Sequence, residues 1–154
     1  MSSPVNRRVL AVVLWATTFA LTLVANQASA NEGIDQPLTQ SLPNAARGLA
    51  ILVDRKRGHC LLCHTVSGLD ESSQGNIGPT LDGIASRLSA PQLRLRLVDS
   101  TRLNPATAMP AYHRVDDLHQ VDPQYADKPV LTASEIEDLI AYLQTLTASA
   151  GPDS

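Results

Sequence analysis

The chain has 154 residues, with 12 basic against 15 acidic side chains, a formal net charge of −3 and only 3% aromatic residues. This length suits one domain, and the mildly acidic balance excludes a counterion surface for nucleic acid or for an anionic membrane. So few large aromatic groups are too few to build an ordinary core.

The first predicted element is an export segment. Residues 1–30 contain no acid: Arg7 and Arg8 form a basic start, Val9 to Ala25 is uncharged and apolar, and Ala28-Ser29-Ala30 precedes the first acid, Glu32. The pattern predicts a secretory signal peptide over 1–30, cleaved after Ala30, and a domain over 31–154 delivered to the periplasm with no membrane span. The alternative is an uncleaved anchor, but the apolar run is short of the roughly 20 residues a span needs. Arg7-Arg8 is a weak hint of twin-arginine export. Cleavage removes the only Trp and Phe, Trp15 and Phe19, leaving Tyr112, Tyr125 and Tyr142.

Helix one is predicted from about Asn44, its N-cap, to Arg57, with Gly58 as its stop. Gly48 and Leu52 lie one turn apart on the face expected to be buried. Thr65 to Ile77 is a loop rich in Ser, Gly and Asn. Gly78-Pro79-Thr80-Leu81-Asp82-Gly83 turns into a short helix, Ile84 to Leu88. The capping box Ser89-Ala90-Pro91-Gln92 starts a third helix that runs to about Ser100. Its Leu93-Arg94-Leu95-Arg96-Leu97 alternates like a strand, but the cap and the lack of a pairing strand decide for helix. Arg102 to Val130 is a long loop punctuated by Pro105, Pro110, Pro123 and Pro129. A second capping box, Thr132-Ala133-Ser134-Glu135, opens the last helix, where Ile136, Leu139, Ile140, Leu143 and Leu146 keep helical spacing. The fold class is all-α, about four helices.

Between helix one and the loop stands Cys60-Leu61-Leu62-Cys63-His64, the C-x-x-C-H attachment pattern of a c-type haem. One helical turn presents two thiols to the vinyl groups of one porphyrin edge, and the adjacent histidine is carried under the iron. Three other readings of the cysteine pair are weaker. A thioredoxin-like redox pair requires a preceding strand, a zinc site lacks two ligands, and a disulfide across two residues closes too small a loop to stabilise much. One covalent haem c also supplies the large apolar body that the composition lacks.

Once Met1 has left with the signal, Met109 is the one methionine, 45 residues after His64, in a loop bracketed by Pro105 and Pro110. A thioether is a common second axial ligand beside histidine, so His64 and Met109 are the predicted iron ligands. The bland alternative is a core methionine, and the rival ligand is His113. His59 and His119 are expected to be solvated. A filled coordination sphere suits electron transfer, whereas a gas sensor would need an open position.

As a whole this layout resembles the class I cytochromes c. That resemblance implies helices around one haem, the first and last crossing near Gly48/Leu52 and Leu139/Tyr142, and a Pro79 carbonyl that accepts a hydrogen bond from His64 Nδ1. A narrower resemblance rests on Gly58 to His64, Gly75 to Arg87, Asn104-Pro105, Met109-Pro110-Ala111-Tyr112-His113-Arg114-Val115, and Leu131 to Leu143. These segments are similar to the SoxX family, the monohaem subunits of the SoxAX cytochromes of thiosulfate oxidation; His59 departs from it, where Asn is expected. The resemblance implies a SoxA partner in a heterodimer and a small soluble electron acceptor. It also implies that thiosulfate is conjugated to a cysteine of the SoxYZ carrier at an active site on SoxA. Cys60 and Cys63 are committed to haem, so no catalytic residue is expected on this chain. A general periplasmic electron carrier serving another dehydrogenase or oxidase is the alternative.

Overall fold

The computed structural model of the chain describes residues 32–148. The predicted signal peptide and its cleavage site at Ala30 lie outside these residues, as do Trp15 and Phe19. Four α-helices carry the fold: α1 (Ala45–Val53), α2 (Ile84–Arg87), α3 (Ala90–Asp99) and α4 (Ala133–Leu143). Single 3-10 turns occupy Cys60–Leu62, Ser100–Arg102 and Pro123–Tyr125, and the described residues contain no strand.

α1 starts where the Asn44 side chain accepts the Arg47 amide at 3.0 Å. It stops at Val53 and not at Arg57. Asp54 leaves the helical region (φ −72°, ψ 108°), and its carboxylate accepts the Lys56 amide at 2.8 Å and Arg57 Nε at 2.7 Å. A side-chain-capped turn thus replaces the last helical turn. The left-handed residue of this connection is His59 (φ 51°), not Gly58.

The two predicted capping boxes are formed, Ser89 with Gln92 and Thr132 with Glu135. The short helix ends one residue earlier than expected, at Arg87, and α3 tightens into a 3-10 turn after Asp99. α4 ends at Leu143, so Leu146 lies beyond it. Leu146 still packs on the core, and its carbonyl accepts the Ala85 amide at 3.1 Å, which ties the chain end to α2.

α1 crosses α4 at Gly48. A Cβ there would run into the Asp138 carbonyl and come within 2.8 Å of Tyr142 Cβ, so only glycine permits this approach. The Asp138 carboxylate also accepts the Asn44 amide at 2.6 Å and Arg47 Nε at 2.6 Å, which fixes the start of α1 on α4. α3 is joined to α4 by a buried ion pair, Arg94 Nε to Glu137 Oε1 at 2.7 Å and Nη2 to Oε2 at 2.9 Å. Arg94 Nη1 also donates to the Ile34 carbonyl at 2.6 Å, and Glu137 accepts the Leu38 amide at 2.9 Å. The segment before α1 is thereby strapped to both helices. This explains the strand-like alternation in α3: Leu93 and Leu97 enter the core cluster, Arg94 faces Glu137, and Leu95 is buried away from that cluster.

Candidate cofactor site

The helices enclose a cavity of about 420 Å³, within the size range of small-molecule and cofactor sites. Leucines from three helices form its apolar walls: Leu52 of α1, Leu93 and Leu97 of α3, Leu139 and Leu143 of α4. Cys60, Cys63, His64, Pro79 and Met109 all line this same cavity.

The cysteine turn is a 3-10 helix, entered through left-handed His59. The Cys63 and His64 amides both donate to the Cys60 carbonyl, at 3.2 and 3.0 Å, so the three side chains share one tight turn. Both cysteines are free thiols. Burial pushes the Cys60 thiol up to about 11, the opposite of a redox-active C-x-x-C, which needs a lowered thiol pKa.

His64 is fixed from two directions. Its Nδ1 donates to the Pro79 carbonyl at 2.7 Å, which leaves Nε2 as the free lone pair. Gly78 packs flat on the ring: a Cβ there would lie 2.7 Å from Nδ1 and 2.9 Å from Nε2. Arg87 holds this loop from behind, donating to the Asp82 and Thr80 carbonyls at 2.7 Å each.

Met109 is half-buried and touches the core cluster. Its carbonyl accepts the Ser100 hydroxyl at 2.6 Å, and its amide donates to Thr107 Oγ1 at 3.2 Å. His113, the rival ligand, is engaged elsewhere: its Nδ1 donates to the Leu131 carbonyl at 2.8 Å, and it is not among the residues that line the cavity. His59 and His119 are both exposed, and His59 also reaches the cavity rim. Sequence reasoning missed Ser100 and Arg96 as cavity residues. The phase of α3 is the signal for both, since Leu93, Arg96, Leu97 and Ser100 share one helical face. Burial pushes the Tyr112 phenol well above its ordinary value, reinforced by the neighbouring Cys60 and Cys63.

The residues fit a c-type haem. The cavity is apolar and of cofactor size, two free thiols stand on one wall, a histidine with an oriented Nε2 follows them, and a thioether reaches the same space. A helical fold with this site defines a class I c-type cytochrome. The cytochrome c family model matches residues 45–147, and the chain belongs to that family. Its function is electron transfer and its cofactor is covalent haem c, whose attachment motif Cys60 and Cys63 fit. A chain of the crystal structure of SoxXA from P. pantotrophus is 31% identical, with a TM-score of 0.69, over 75% of this chain and 90% of that one. The match places the chain among SoxX-type cytochromes. No curated protein matches it significantly. Among the described residues no helix is long and apolar enough to cross a membrane.

Proposed function

We propose that this chain is the electron-accepting subunit of a periplasmic SoxAX-type complex, exported with cleavage after Ala30. In this reading Cys60 and Cys63 would hold the haem through thioethers, and His64 Nε2 and the Met109 thioether would hold its iron. The bound haem supplies a one-electron couple. His64 is kept in one tautomer and orientation by Pro79 and Gly78, which makes it a stronger donor. Met109, a soft ligand, favours the reduced state. The leucine walls exclude water, which keeps the solvent reorganisation low.

The complex forms a sulfur–sulfur bond between thiosulfate and a carrier cysteine, with release of one proton and two electrons. This chain has no cysteine beyond the pair committed to haem, so the bond-forming site belongs to the partner. The chain takes the electrons one at a time and passes each to a small soluble acceptor. The observation that carries this reading is the likeness to a SoxXA chain over nine-tenths of that chain.

The test is reconstitution. The exported holoprotein, mixed with SoxA, should elute as a heterodimer and support thiosulfate-dependent modification of the SoxYZ cysteine, whereas the chain alone should not. Conjugation by the isolated chain, or failure to bind SoxA, would leave a general electron carrier of the cytochrome c family.

A further inference from the structure

One side of the cavity is a loop, present there through Leu103, Asn104, Thr107, Ala108, Met109 and Tyr112. The bonds within it are short-range. The Ala106 amide donates to Asn104 Oδ1 at 3.0 Å, the Thr107 amide to the Asn104 carbonyl at 3.0 Å, and the Met109 amide to Thr107 Oγ1 at 3.2 Å. Such bonds shape the loop but do not hold it on the helices. The Ser100 hydroxyl holds its middle, at the Met109 carbonyl. Its far end is held where the chain returns to the end of α3. The Tyr112 amide donates to the Leu97 carbonyl at 3.0 Å, and the His113 and Arg114 amides share the Val98 carbonyl at 3.4 Å each. The last two bonds are long and weak, so the backbone closes the loop poorly at Arg114.

The Arg114 side chain supplies a stronger closure. Its Nε lies 3.1 Å from Asp99 Oδ2, and the two side chains are only 21% and 9% exposed. The contact is an ion pair and not an aligned hydrogen bond, because Nε–H meets no acceptor at a hydrogen-bonding angle. Both partners are held in place for it. Arg114 Nη1 donates to the Asp116 and Asp117 carbonyls at 2.8 and 3.2 Å. Asp99 Oδ1 accepts the Thr101 amide at 3.1 Å and the Thr101 hydroxyl at 2.5 Å, which leaves Oδ2 to Arg114. Two charges this enclosed are costly to separate, since each would be left without its counter-charge.

We propose that Asp99 and Arg114 are positioning residues whose ion pair closes the loop from Ser100 to His113 and so keeps the Met109 thioether on the haem iron. Opening of a loop has its own free energy, distinct from global unfolding, and a link across its base raises that free energy. Closure matters for electron transfer, because a thioether that leaves the iron changes the potential and admits foreign ligands. The inference rests on the ligation of iron by Met109 proposed above, and on no property of the partner.

Imidazole added to the oxidised holoprotein reaches the iron only after Met109 has left it. The loss of the far-red sulfur–iron(III) band on adding imidazole therefore reads loop opening. Arg114→Gln should speed this loss by about tenfold. Asp99→Asn, which keeps an acceptor for Thr101, should speed it by a similar factor. The double variant should be little faster than either single one, as two ends of one interaction require. Gly48→Ala, at the crossing of α1 and α4, should lower global stability without speeding the reaction, which separates loop closure from general destabilisation. Unchanged rates in Arg114→Gln and Asp99→Asn, with the wild-type band present, overturn the proposal and leave Met109 as ligand. Effects that multiply in the double variant, or an equal acceleration in Gly48→Ala, overturn it as well. A wild-type protein without the band loses the Met109 ligation, and the proposal falls with it. Where Arg114→Gln takes up no haem, Asp99→Asn decides alone.

Discussion

The Ser100 hydroxyl donates to the Met109 carbonyl at 2.6 Å, with Ser100 itself buried. This bond ties the last cavity-facing position of the α3 segment to the loop that carries the thioether. Ser100→Ala should cost about 1 kcal/mol of stability and loosen the loop. If Met109 ligates iron, the far-red sulfur–iron(III) band weakens in Ser100→Ala and vanishes in Met109→Ala. Met109→His keeps the iron low-spin and lowers its potential. A Met109→Ala protein that retains the band, beside a His113→Ala protein that loses it, would reverse the ligand assignment.

Gly48 sets how closely α1 approaches α4. The atom that an added Cβ would meet is the backbone carbonyl of Asp138, which cannot swing aside. Gly48→Ala should therefore lower stability by about 1–3 kcal/mol, and Gly48→Val by more. Thermal unfolding of the holoproteins measures this; an unchanged midpoint in Gly48→Val would show that the helices do not cross at this residue.

Local chemistry made much of this fold legible in the sequence. The capping boxes at Ser89 and Thr132 and the C-x-x-C-H turn are fixed spacings whose physics lies within a few residues. What escaped depends on partners far along the chain. Nothing near Arg94 announces Glu137, 43 residues on, and Arg96 and Ser100 join the site only through the phase of α3 against a cavity. The end of α1 was misplaced for a related reason. The periodicity permits another turn, but the chain must reverse at Asp54 to bring Cys60 into the core, and the Asp54 carboxylate stabilises that reversal.

His59 sits at φ 51° immediately before Cys60, a region where a Cβ is crowded and where glycine and asparagine are at ease. The SoxX resemblance expects Asn at this position, and the backbone supplies a physical reason. His59→Asn or His59→Gly should raise holoprotein stability by a few tenths to about 1 kcal/mol, and His59→Val should lower it. Denaturant midpoints at constant slope decide this; a loss with both Asn and Gly would mean that the imidazole makes a contact outweighing the strain.

The cavity predicts how the protein behaves without its cofactor. Left unfilled, a cavity of about 420 Å³ turns its leucine walls to water and removes the packing that joins the helices. The double variant Cys60→Ala, Cys63→Ala should fail to capture haem covalently and remain largely unfolded. A cooperative, native-like thermal transition in the haem-free double variant would show that the helices hold together without the porphyrin.

Acid sensitivity should trace to two adjacent carboxylates of α4. Burial pushes Glu137 up, but Arg94 and the Leu38 amide outweigh it, leaving Glu137 below its ordinary value. Asp138 is likewise pushed up by burial and held lower by Arg47 and the Asn44 amide. With both pKa values depressed on folding, the unfolded chain binds more protons through this range, so stability rises with pH. The contribution is complete above the ordinary carboxylate range and is lost as pH falls below about 4. Glu137→Gln should flatten this acid limb. It should also cost about 3 kcal/mol at neutral pH, because Arg94 is left buried and unpaired. Urea titrations of the holoprotein from about pH 3 to 7 compare the two limbs. Equal acid sensitivity in wild type and Glu137→Gln would assign the effect to other carboxylates.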